Sequence, residues 1–164
     1  MPTVSPFTLA LSAALALATP RPQIGDPAPP LDVVTLTGPR LDTEFLHGQV
    51  TVVEFFATWC GPCRSSLQDL SALRSQLGPE MKVLIVAADD ASAVRKYFAE
   101  HAPPDGAQIA LDPQRSVGPR WGQDRFPTTF FIDPAGIIRH INRGHGPGFR
   151  ARADRWLRAM LARH

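Results

Sequence analysis

The only two cysteines of this chain stand two residues apart in Trp59-Cys60-Gly61-Pro62-Cys63, and their flanks leave little choice of local structure. Residues 50–57 are a β-branched and aromatic run that reads as a strand buried on both faces. Pro62 falls where the first turn of a helix tolerates a missing N–H. Leu67, Leu70, Leu73 and Leu77 then keep helical spacing up to Gly78-Pro79, which stops the helix. A bridge across two intervening residues closes almost no loop, so it adds little stability. On a strand-to-helix turn, Cys-x-x-Cys instead makes one thiol reactive and sets a second within reach to resolve it. This is the pattern of a redox site. Zinc would need two more ligands, and His101, His140 and His145 lack the spacing to supply them.

The rest of the chain extends the same alternation. Residues 31–36 read as a strand closed by Thr37-Gly38-Pro39, residues 81–88 as a second buried strand, and residues 91–101 as an amphipathic helix opened by Asp89-Asp90. A short strand over 108–111 and a helical turn over 114–121 follow. Strands over 128–132 and 137–141 flank Asp133-Pro134-Ala135-Gly136, which carries hairpin turn chemistry. Phe149, Ala153, Trp156, Leu157, Met160 and Leu161 mark a last helix with one buried face. The sum is an α/β fold whose first half needs parallel strands joined by right-handed crossovers. It places the cysteines at the carboxyl end of a central strand, where ligands gather in such sheets.

At 164 residues, with 44% hydrophobic and 20% charged side chains, the chain suits one globular domain. A net charge of +2 argues against a nucleic-acid partner. Residues 1–18 carry no charged side chain and hold an apolar run ending in Ala16-Leu17-Ala18, which suits a signal peptide cleaved after Ala18 better than a membrane span, with an uncleaved N-terminal anchor as the alternative. No Lys or Arg precedes that run, so its positive start is the α-amino group alone. Residues 19–30, with five prolines, read as an extended linker into a domain over 31–164. Seven arginines against one acid from Arg139 onward read as the solvated face of the last helix.

These residues resemble a known family. Trp59-Cys60-Gly61-Pro62-Cys63 is similar to the thioredoxin signature, and Phe126-Pro127-Thr128-Thr129-Phe130-Phe131-Ile132-Asp133 resembles the segment carrying that fold's cis-proline. Ile24-Gly25-Asp26-Pro27-Ala28-Pro29 and the long stretch between the cysteines and Pro127 resemble the exported TlpA/ResA-like group. The resemblance implies a thioredoxin-like mixed sheet flanked by helices, with a helix and strand inserted between the Cys pair and the cis-proline. It implies thiol-disulfide exchange without a bound cofactor, on protein disulfides that include apocytochrome c. A membrane thiol electron donor, a periplasmic or other extracytoplasmic location and a monomeric state are expected with it.

Cys60, at a helix N-terminus, is then the nucleophile, its thiolate favoured by the helix dipole. Cys63, one turn on, resolves the mixed disulfide. Gly61-Pro62 resembles the dipeptide of reducing thioredoxins. Potentials in this chemistry run from about −270 mV for thioredoxin to about −120 mV for a strong oxidant, so the dipeptide leans toward a reductase and leaves an oxidase or isomerase open. Glu54, inside an apolar strand, is a costly place for a carboxyl unless it works there. The resemblance puts it at the buried-acid position, as general base to Cys63; the alternative is a strand-edge carboxylate facing solvent. Pro127 is expected to be cis, and Trp59, Gly61, Pro62, Phe126 and Thr128 to contact substrate. Trp121 either joins that rim or sits in the core. His145 reads as a solvated loop histidine. Ser66 stands where many relatives carry a glutamate, and Gln68 replaces the proline that kinks this helix in thioredoxins. A copper carrier using the two thiols is the competing class, although such carriers space the cysteines differently and add a histidine beside the cis-proline. A peroxidase is disfavoured, because Thr58-Trp59-Cys60 lacks the proline-and-threonine approach to its cysteine.

Overall fold

The structure is a computed structural model and describes residues 21–163. The candidate signal segment, residues 1–18, lies outside the described residues. Seven strands form one sheet in the order β2-β1-β5-β4-β3-β6-β7. They are β1 (Asp32–Thr35), β2 (Arg40–Asp42), β3 (Val50–Phe56), β4 (Met81–Ala87), β5 (Gln108–Leu111), β6 (Thr128–Ile132) and β7 (Ile138–Arg143). The helices are α1 (Gly61–Leu77), α2 (Ala91–Glu100) and α3 (Phe149–Leu161). The fold is the mixed α/β thioredoxin-like one that the sequence implies, with α2 and β5 as the inserted pair.

Two right-handed crossovers build the centre. β3 pairs in parallel with β4, and β4 with β5. Both steps move the same way across the sheet, so α1 and α2 pack on the same face. There Val52 and Phe56 of β3 meet Leu70 and Leu73 of α1, Val94 of α2, and Phe149 and Leu157 of α3. Val53 and Phe55 point the other way, to a second core with Leu46, Trp121, Phe130 and Ile132. No helix of α1–α3 contributes to that second core. The N-terminal strands, a 3-10 helix at Thr43–Leu46 and another at Pro119–Trp121 cover it instead.

Most expected elements lie within a residue or two of their places. Two differ. Sequence periodicity does not show β2, because three residues alternating between exposed and half-buried carry too little pattern. The helical turn expected over 114–121 shrinks to Pro119–Trp121. Residues 112–118 wind instead around the buried Asp112 carboxylate, which accepts from Ser116 N, Ser116 Oγ, Val117 N and Gly118 N at 2.7–3.1 Å. Within the proline-rich stretch, Gly25 N and Ala28 N donate to Ile138 O and Gly136 O, and Ile138 N donates back to Asp26 O.

Candidate active site

The carboxyl end of β3 runs into α1 through Ala57-Thr58-Trp59, and Cys60 caps the helix. Its backbone is extended (φ −88°, ψ 101°), and its Sγ accepts from Cys63 N at 3.2 Å. The first turn holds Pro62 and Arg64 and no acid. A thiolate at Cys60 would therefore sit on unopposed helix N–H groups, the arrangement that stabilises it. The two cysteines are joined as a disulfide with Cα atoms 5.3 Å apart. They are not equivalent. Cys60 keeps 7% of its surface at the rim of a groove, whereas Cys63 is fully buried against the sheet.

That groove, about 600 Å³, is walled by Trp59, Gly61 and Pro62 on one side and by Phe126, Arg125 and Arg115 on the other. Trp59, 64% exposed, meets the Phe126 ring edge-on at 5.5 Å between centroids. The Phe126–Pro127 peptide is cis. Trp59, Cys60, Gly61, Pro62 and Phe126 thus converge as read from the sequence. Thr128 does not join them. It is fully buried, and its Oγ1 donates to Arg125 O at 2.7 Å, because strand alternation turns it inward. Trp121 is a core residue, packed against Phe55 and Phe130.

Glu54 lies beneath the cysteines, with no exposed surface. It faces α1, and Oε2 accepts from Ser66 Oγ at 2.6 Å and from Thr129 Oγ1 at 3.0 Å. Thr129 is its register partner on β6. Ser66 is one helical turn beyond Cys63, and both are fully buried, so its hydrogen bond puts the carboxyl against the face of α1 that also carries Cys63. The other oxygen, Oε1, is buried and has no hydrogen-bond partner among the described residues. A strand-edge carboxylate facing solvent is excluded. Burial pushes the Glu54 carboxyl up to about 7 from 4.5, the Ser66 and Thr129 hydroxyls oppose that rise, and the negative Asp69 adds to it.

Residues 24–141 match the AhpC/TSA family. A DsbE-homologue thiol:disulfide interchange protein of Paracoccus denitrificans is 36% identical over 132 residues, covering 77% of this chain and 70% of that one. The thioredoxin-like protein YneN of Bacillus subtilis is 26% identical over 123 residues, covering 74% and 72%. A solved structure from Chlorobium tepidum, assigned as a DsbE thiol:disulfide interchange protein, superposes with a TM-score of 0.77 at 26% identity and covers 85% of this chain and 98% of that one. This chain belongs to the AhpC/TSA family. Within it, the chain is a thiol-disulfide oxidoreductase of the TlpA/ResA-like group, with Cys60 and Cys63 as its disulfide-bonded pair.

Several side chains of this oxidoreductase site were invisible in the sequence. Nothing in the spacing of Ser66 and Thr129 shows that both donate to one carboxylate. His145 has a partner after all: Nε2 lies 2.9 Å from Asp69 Oδ2, and the ring packs edge-on against Phe149. Arg115 enters the groove from the loop that Asp112 organises, far along the chain from the cysteines. Among the described residues no group of three or more His, Cys, Asp or Glu side chains is placed to hold a metal ion.

Proposed function

We propose that this protein is an exported reductase of protein disulfides, with apocytochrome c, whose heme site is Cys-x-x-Cys-His, among its substrates. The observation that carries the reading is the asymmetry of the cysteine pair: one sulfur at the groove, the other buried one helical turn from Ser66, which donates to a carboxyl raised to about 7. In the reduced protein the Cys60 thiolate attacks one sulfur of a substrate disulfide lying in the groove. A mixed disulfide forms and one substrate thiolate leaves. Glu54 accepts the Cys63 proton, and the Cys63 sulfur attacks Cys60 Sγ. The second substrate thiolate leaves, and the protein retains the Cys60–Cys63 disulfide. Two electrons pass to the substrate. The Gly61-Pro62 dipeptide supports this direction over oxidation.

Relatives named DsbE and ResA, together with the apolar, uncharged residues 1–18, support export to the periplasm or its equivalent. In an oxidising compartment the reduced state needs a supply of electrons, which argues for a membrane thiol donor. The copper-carrier reading has less behind it, since Phe126, not a histidine, precedes Pro127.

The reduction potential of the Cys60/Cys63 couple tests the direction. A value below about −230 mV agrees with a reductase, and one near −120 mV would make it an oxidase. Export is tested by sequencing the N-terminus of the protein recovered from its native host. A start near Thr19 in the extracytoplasmic fraction is expected, and a Met1 start in the cytosol overturns it.

A further inference from the structure

The wall of the Cys60 groove carries an arginine that neither the disulfide chemistry nor the fold requires. Arg115 is exposed, and its guanidinium carbon stands 5.6 Å from the centroid of the Phe126 ring. Phe126 thus touches both Trp59 and Arg115, and all three line the groove that Cys60 reaches. A cation over an aromatic face is attracted by the ring's quadrupole, modestly at an exposed site, which favours the placement of this guanidinium over Phe126.

Two further observations mark the position. Arg115 has φ 52°, the only left-handed backbone among the described non-glycine residues. Glycine or asparagine would occupy that conformation with much less strain, and strained residues that persist tend to be held by their surroundings at functional sites. Here the surroundings are the Asp112 carboxylate and the backbone groups it gathers from Ser116, Val117 and Gly118. The second observation is charge. Asp124, the acid of the groove, is already taken by Arg21, Arg125 and Arg143 at 3.2–3.5 Å. Arg115 forms no ion pair among the described residues. The groove beside Cys60 thus carries a net positive charge, in which Arg125 shares Asp124 with two other arginines and Arg115, set over Phe126, has no carboxylate of its own among the described residues.

We propose that Arg115 is a specificity residue, receiving an acidic side chain that the substrate carries within a few residues of the cysteine attacked by Cys60. The proposal rests on the reading of this groove as the protein-disulfide site, and it holds for exchange in either direction. A carboxylate arriving over Phe126 would meet the guanidinium fork and seat the substrate disulfide against Cys60 Sγ. A lysine or arginine in the same place would be repelled. Such discrimination acts mainly on the rate of encounter and is weakened by salt.

The test uses three peptides identical except for Glu, Gln or Lys flanking a Cys-x-x-Cys disulfide. Exchange rates are measured with reduced protein and disulfide peptide, and with oxidised protein and dithiol peptide, at low and at high salt. Wild-type protein should favour the Glu over the Lys peptide by about fivefold at low salt, the scale of an exposed ion pair, and lose most of that preference at high salt. Arg115→Asn, which tolerates the left-handed backbone, should bring the ratio close to one. Arg115→Glu should invert it. A wild-type ratio of one, or a ratio that survives Arg115→Glu, overturns the proposal and leaves Arg115 as packing for Phe126. The equilibrium between the two directions reports separately on whether the protein is a reductase, so the two readings fail independently.

Discussion

Ser66 donates its hydroxyl hydrogen to Oε2 of Glu54 at 2.6 Å, tying the second turn of α1 to the centre of β3 beneath the cysteines. The serine thus serves the one buried acid of the site. It stabilises the charged carboxylate, yet burial outweighs it and leaves Glu54 poised near neutrality. A base that must take a proton from a thiol and release it to water works best with its pKa close to the operating pH.

Ser66→Ala should move Glu54 further upward, since the shorter of the two hydrogen bonds to its charged form is gone. The pH at which resolution of the mixed disulfide becomes fast should rise with it. Above neutral pH the variant should also be less stable by about 1–2 kcal/mol, the cost of a lost hydrogen bond to a charged group. The pH–rate profile of the resolution step checks this, and an unshifted profile would remove Ser66 from the proton chemistry.

Glu54→Gln should slow resolution about 10²-fold, the usual weight of a general base, while initial attack by Cys60 changes little. Rapid mixing that separates the two steps decides it. Stability gives an independent reading. Below about pH 4.5 the carboxyl is protonated in both folded and unfolded chains and burial carries no penalty. As pH rises toward 7 the unfolded chain ionises freely and the folded one resists, so the wild-type protein loses stability. A rise from 4.5 to about 7 is worth about 3 kcal/mol across that window. Denaturation of the oxidised proteins at pH 5 and pH 8 should show that loss in the wild type and not in the Gln variant.

The reduced protein should be alkylated at Cys60 well below pH 8 while Cys63 stays protected, because only Cys60 reaches the groove and rests on the helix N-terminus. Cys60→Ser should abolish disulfide reduction, and Cys63→Ser should accumulate mixed disulfides. Mass spectrometry of the alkylated chain gives the answer. Equal labelling of both thiols would sink the division of roles.

Asp112→Ala should release the 112–118 loop, since four donors lose their acceptor at once. About 2 kcal/mol of stability should go with it. The amides of Ser116, Val117 and Gly118 should exchange with deuterium much faster, and wild-type protection factors in the variant would show that the loop holds itself.

The sequence by itself determined whatever depends on neighbours along the chain. The β-branched run into Cys60, the proline in the first turn of α1 and the leucine spacing beyond it specify a strand, a turn and a helix, and so place both sulfurs. The same local reasoning buried Glu54, since Val53 and Phe55 leave no solvent face on that strand. Tertiary structure alone decided partners. Ser66 is 12 residues from Glu54 and Thr129 is 75, and they meet on one oxygen only because the β3–β6 register and the roll of α1 bring them there. His145 finds Asp69 across 76 residues, and Trp121 and Thr128 turn into the interior. Periodicity reports which face a side chain takes, because faces are set by backbone geometry a few residues long. It says nothing of what stands opposite, because that is set by how separate elements pack, and Arg115 reaches the groove by the same long-range route.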